Sequence, residues 1–163
     1  MNLTIIAVLI YAAAMTLANL SITAFGPVVA PINAFVLIGL DLALRDWLHI
    51  RLKSWQMLAL IVSAGGLTYA LNPAAGAIAV ASSGAFTAAA LVDWLTFVRL
   101  RGSWLFRSNG SNVAGAVVDS LLFIALATFP FSWAIAAQMM AAKVAGGALW
   151  AWALARTTQR VAA

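Results

Sequence analysis

Six ionisable side chains sit in stretches that are otherwise largely apolar: Asp41, Arg45, Asp46, Asp93, Asp119 and Lys143. The four aspartates are all the acidic residues the chain has. A charge at the centre of a spanning helix costs about 2.5–3.5 kcal/mol on insertion scales, so each needs a partner or a watery cavity. Such groups can pair, exchange a proton, or accept N–H bonds from a ligand. The segment "GLDLALRDWLH" (39–49) sets Asp41 four residues before Arg45, on one helical face with the acid first. The plain reading is an ion pair that lets the segment insert. Arg45 and Asp46 lie near the inner end of this stretch, where side chains can reach water. Asp93 and Arg99 are read as interfacial in the same way.

The segment "SNVAGAVVDSLLF" (111–123) places Asn112 and Asp119 two turns apart on one face, with Gly115 between them. Ser120 follows Asp119 directly. Lys143 sits near the middle of the next stretch, with Gln138 above it. The turn between these stretches centres near Pro130 and Phe131. Counted from there, Asp119 and Lys143 lie at nearly equal depth, about 17 to 18 Å away at 1.5 Å per residue. The same count sets Asn19 opposite Asn33. We therefore expect Asp119 and Lys143 to face one central cavity, lined by Asn112 and Gln138. The competing reading is a structural pair beside a glycine notch. Asn33 and Asp41 occupy the equivalent places in the first half of the chain, as in an inverted repeat, and join the candidate binding set.

The elements that must position these groups are apolar helices. Of 163 residues, 65% are hydrophobic and 8% charged, with mean hydropathy +1.03. A soluble globule of this size cannot hide that much apolar surface, and a disordered chain would be rich in charge. Six stretches, 3–24, 28–48, 55–71, 75–98, 112–129 and 132–154, are each near the length that spans a bilayer. The first lacks the basic start of a cleaved leader and is read as a mature helix. Pro27 and Pro31, Pro73, and Pro130 mark three uncharged connections, although Pro31 fits a first helical turn as well. The other side holds Arg51, Lys53, Arg99, Arg101, Arg107, Arg156 and Arg160, seven of the nine basic residues. That asymmetry predicts an all-α, polytopic, compact six-helix bundle with both termini in the cytoplasm, one domain over 1–163. Six of the seven tryptophans fall near the basic side and Trp133 near the other, an interfacial belt. Ala14 and Ala18 form a small-xxx-small pair that could dock a second copy, giving a homo-oligomer. Packing within the chain is the favoured reading.

The net charge of +5 and pI near 10.9 are accounted for by the basic loops, so no nucleic acid partner is expected; the partner is the lipid bilayer. There is no cysteine, and His49 is the one histidine, so neither a metal site nor a cofactor is expected. Intramembrane proteolysis by a Ser–His dyad would need that histidine in the membrane, and His49 lies at its edge. The chain is read as a non-enzyme.

"GLDLALRDWLH" followed by a basic turn resembles the second helix of the vitamin uptake transporter family, which includes queuosine precursor transporters. "LVDWLTFVRLR" (91–101) and "SNVAGAVVDSLLFIALA" (111–127) are similar to the next two family helices. By position, Arg45, Asp46, Asp93, Asn112, Gly115, Asp119 and Ser120 match the family pattern. The chain is short for the family, with minimal loops. The resemblance implies multi-pass insertion in the cytoplasmic membrane and uptake of a 7-deazapurine such as 7-cyano-7-deazaguanine. Arg45, Asp46, Asp93, Gly115 and Ser120 would be structural or coupling residues. A carboxylate can accept the two adjacent N–H groups of such a heteroaromatic base, and an amide can pair with its remaining edge. No phosphate-binding loop for ATP is present in the sequence. The alternative is a vitamin-binding subunit that needs a separate ATPase partner.

Overall fold

In an apolar chain the backbone must satisfy its own hydrogen bonds, and runs of Leu, Ala, Ile and Met do so as helices. The computed structural model describes residues 2–25, 27–71, 77–126 and 132–158, and no strand occurs among them. Helix α1 is Leu3–Phe25. Helix α2 (27–49) is composite: a 3-10 turn (Pro27–Val29), a short α piece (Ala30–Asn33), a π-helical turn (Ala34–Ile38) and a final α segment (Gly39–His49). Pro31 lies in its first turn, where its missing N–H costs nothing. Then come α3 (Ser54–Ala70), α4 (Ala77–Arg99), α5 (Trp104–Leu126) and α6 (Trp133–Thr158). The connections expected around Pro73 and Pro130, and Arg160 in the tail, lie outside the described residues, as does the side chain of Asn19.

Most boundaries fall within two to four residues of expectation, and α5 does not. It starts at Trp104, eight residues before 112. The run "RSNGSN" (107–112) looks like a loop, but its polar groups are used inside the fold. Arg107 donates through Nε and Nη2 to the carbonyl of Phe97 at 3.1 and 3.0 Å, tying α5 to the end of α4. Ser103 Oγ accepts the N–H of Phe106, capping the helix start. The turn before it is made by Gly102 at φ +127°, a backbone state that other residues rarely adopt.

The last segment of α2 is the axis of the fold. Residues 41–48 are all buried, enclosed by α1, α4, α5 and α6. Tyr11, Met15, Leu44, Leu48, Met57 and Ile61 form the apolar core beside it. The outer surface is apolar instead: Leu9, Val62, Val80, Val113, Ile135 and Leu149 are all exposed. Charges inside and hydrocarbon outside invert the pattern of a soluble domain. Over the described residues, Trp104–Leu126 and Trp133–Thr157 are long and apolar enough to cross a membrane.

Close approach of α2 and α6 depends on glycine. A Cβ on Gly146 would overlap the carbonyl of Phe35 in the π-helical turn. Trp150 Nε1 donates to the carbonyl of Val36 at 2.9 Å, partnering a group within that turn.

Candidate functional site

Two buried charge clusters lie side by side in the bundle. In the first, Arg45 donates from Nη2 to Asp41 Oδ2 and from Nη1 to Asp93 Oδ2, the latter at 3.2 Å. All three side chains are at most 3% exposed. Among the described residues no cation is bonded to Asp46. Its Oδ2 accepts from Ser108 Oγ at 2.6 Å and Ser111 Oγ at 3.2 Å. The Arg45 guanidinium also lies 5.6 Å from the centroid of Phe86. Tyr11 reaches this cluster from α1 and is fully buried.

In the second cluster, Lys143 donates to Asp119 Oδ2 and, at 3.3 Å, to Ser120 Oγ. Lys143 is buried, whereas the Asp119 side chain keeps 23% of its surface exposed. Both clusters draw on α5: Ser108 and Ser111 reach the first, and Asp119 and Ser120 stand in the second.

Several buried atoms here have no hydrogen-bond partner: Tyr11 Oη, Asp41 Oδ1, Arg45 Nε, Asp93 Oδ1, and both Nδ2 and Oδ1 of Asn112. Burying such groups without partners costs roughly 1–3 kcal/mol each. Asn112 is the extreme case, since its whole amide is idle and 1% exposed. It packs against α6, where a Cβ on Gly147 would stand 3.0 Å from Asn112 Nδ2. Gly115 performs the same service toward α4: a Cβ there would meet Asp93 Cβ at 3.0 Å.

The expected Asp119–Lys143 contact is present, with Ser120 added. The expected Asp41–Arg45 pair is present as part of a larger group. Other expectations are corrected. Asp93 is not interfacial but fully buried on Arg45, and Arg45 and Asp46 do not reach water. Gln138 is exposed rather than lining the polar region. It precedes Lys143 by five residues, which turns it about 140° around the helix. Asn33 does not face the polar region either; its Nδ2 donates to Ala18 O at 3.2 Å and Ser21 Oγ at 2.7 Å, tying α2 to α1. Asn33 and Asn112 are therefore not equivalent in their surroundings. Trp47 is no interfacial anchor: it is buried, and its Nε1 donates to Thr157 Oγ1 at 2.8 Å. Trp55, Trp133 and Trp152 are exposed, as anchors would be.

Tyr11 and Ser108 escaped the sequence reading, and Ser111 stood in a quoted segment without a role. The spacing Ser108, Ser111, Asn112, Gly115, Asp119 is a single helical stripe, legible once α5 is started at Trp104. Just beyond the apolar stretch of α2, His49 packs edge-on to Phe97, with ring centroids 5.1 Å apart. Partial burial, then the nearby Arg107 guanidinium, hold its imidazole below the usual range.

Curated proteins and solved structures offer no match to this chain. A family model described as "Putative vitamin uptake transporter" matches residues 2–157, a span that takes in both charge clusters and the six described helices up to the last residue of α6. The chain belongs to that vitamin uptake transporter family.

Proposed function

We propose that the protein is a carrier for uptake of a 7-deazapurine, 7-cyano-7-deazaguanine or a close queuosine precursor, across the cytoplasmic membrane. One domain over 1–163 would cross six times with both termini inside, and no second subunit would be needed. Family membership supports uptake; the observation that favours a heteroaromatic lactam is Asn112. Its primary amide offers one acceptor and two donors, all unused, in a dry setting. A guanine-like edge presents the complementary donor and acceptor. Asp119 lies two turns on, about 10 Å along α5. A bicyclic base fits between two groups that each reach in to bond it. Asp119 would accept the adjacent N–H groups of the base, a charge-assisted and bidentate arrangement. Lys143 would hold Asp119 in place between transport events. Gly147 covers Asn112 here, so the base would enter as α6 moves away from α5.

The test is uptake of labelled 7-cyano-7-deazaguanine by the purified chain in liposomes. We expect entry without a partner protein, competed by related deazapurines. Asp119→Asn keeps the shape and should lower uptake at least tenfold, about 1.4 kcal/mol or more in binding. Lys143→Met should reduce transport more than expression. Binding of a vitamin instead of the deazapurine would overturn the substrate. Tight binding with no entry until an ATPase partner is added would make the chain a binding subunit. Normal uptake by a folded Asp119→Asn protein would overturn the site.

A further inference from the structure

The first cluster contains more acid than the fold neutralises. Asp93 on α4 stands between two acids of α2, sharing Arg45 with Asp41 and lying beside Asp46, and among the described residues Arg45 is the one cation bonded to these acids. From α1 the cluster meets Tyr11, and from α5 the neutral Ser108 and Ser111. Helix α6 brings Lys143, which is already bonded to Asp119. Helix α3 offers it no charged group among the described residues. His49 and Arg107 lie beyond it, at the end of the bundle. With every acid ionised, the four groups would carry two uncompensated negative charges in a site closed to water.

The partners of the acids differ in kind. Arginine and lysine only donate, so Asp41 and Asp93 on Arg45 and Asp119 on Lys143 are bonded as carboxylates. Asp46 is held by two serine hydroxyls. A hydroxyl can donate to a carboxylate or accept from a carboxylic acid, so this pocket fits both states of Asp46 without rearrangement. On the Arg45 side of the cluster, Asp93 Oδ1 and the Tyr11 hydroxyl are buried with no hydrogen-bond partner among the described residues. They are an acceptor and a donor within the same cluster.

We infer that Asp46, with Asp93 beside it, is the proton-binding site that drives uptake, and that Asp119–Lys143 is not. One carboxylate oxygen gains a proton from the outer side and returns it to the inner side with each substrate carried; no other bond changes. This rests on the uptake reading above, and adds the driving ion and its place.

The test uses two measurements on the full chain. In the first, liposomes holding the protein receive labelled 7-cyano-7-deazaguanine under an inward proton gradient, an inward sodium gradient, or none. We expect concentration of the label only with the proton gradient, abolished by a protonophore. In Asp46→Asn the label should equilibrate without concentrating, an accumulation ratio falling to one. Accumulation driven by sodium alone, or by protons equally well in Asp46→Asn, would overturn the inference. The second measurement needs no substrate. Infrared spectra across a pH titration should show a carboxylic acid band that is lost in Asp46→Asn and shifted in Asp93→Asn. The shifted Asp93→Asn band keeps the test open should Asp46→Asn fail to fold. A band unchanged in the folded variants would overturn the site. If wild type shows the band but no entry of the deazapurine, the substrate reading fails and the proton site stands.

Discussion

Arg45 donates from its two terminal nitrogens to acids on two helices, so its loss strands two buried carboxylates at once. Breaking a buried ion pair from one side costs about 3–5 kcal/mol, and removing all partners together costs far less. Arg45→Met alone should therefore unfold in detergent at a much lower temperature than wild type. The triple variant Asp41→Asn, Arg45→Met, Asp93→Asn should recover most of that loss. The double variant at Asp41 and Arg45 should recover only part, because Asp93 is left unpaired. Equal melting temperatures for the single and the triple variant would show that the three groups are not coupled. The ease of reading these contacts from sequence tracks their geometry. Asp41–Arg45 follows from spacing within one helix, and Asp119–Lys143 from counting outward from one turn. Arg45–Asp93 joins residues 48 apart on helices that are not consecutive, and no local count reaches it. Gln138 was misplaced because depth was counted and angle was not.

At the scale of helices, the contact of α2 with α6 is made by backbone rather than side chains. Gly146 meets the carbonyl of Phe35, within the π-helical turn (Ala34–Ile38). Turns of this type carry one residue more per hydrogen bond and recur at functional sites. Gly146→Ala should push α6 outward, costing about 1–3 kcal/mol through overpacking. Gly66 on α3 has nothing within 4 Å of where a Cβ would stand. Gly66→Ala should be neutral or raise stability by about 0.5–1 kcal/mol through helix propensity. A denaturation series on both variants checks the contrast; equal effects would mean that close approach is not what Gly146 provides. Helix positions were largely legible from hydropathy, since long apolar runs can bury themselves in no other form. The π-helical turn was not, because nothing in "AFVLI" departs from an ordinary helical run. The start of α5 was hidden because a polar run reads as a loop until its buried partners are known.

Over the whole molecule, one end of the bundle gathers the basic residues and their supports. Arg107 caps α4, Trp104 Nε1 approaches the Asp46 carbonyl at 3.5 Å, and Trp47 bonds Thr157 beside Arg156. If this end faces the cytoplasm, reporters fused after Lys53, Arg101 and Thr157 should all report inside. An outside signal at any of the three would break the six-span arrangement. The long reach of the buried bonds has a consequence for how the chain is made. In the proposed six-span arrangement helix α2 would carry Asp41, Arg45 and Asp46 into the bilayer, while Asp93 and Ser108 come 48 and 62 residues after the groups they serve. At about 5–20 residues per second, the ribosome leaves α2 without those partners for roughly 3 to 12 seconds. During that time the second helix would be poorly anchored, and exposed to proteases that clear stalled membrane proteins. Chains truncated after residue 71 should be degraded rapidly and extracted readily by alkali. Chains truncated after residue 126, which already hold Asp93, Ser108 and Ser111, should persist in the membrane.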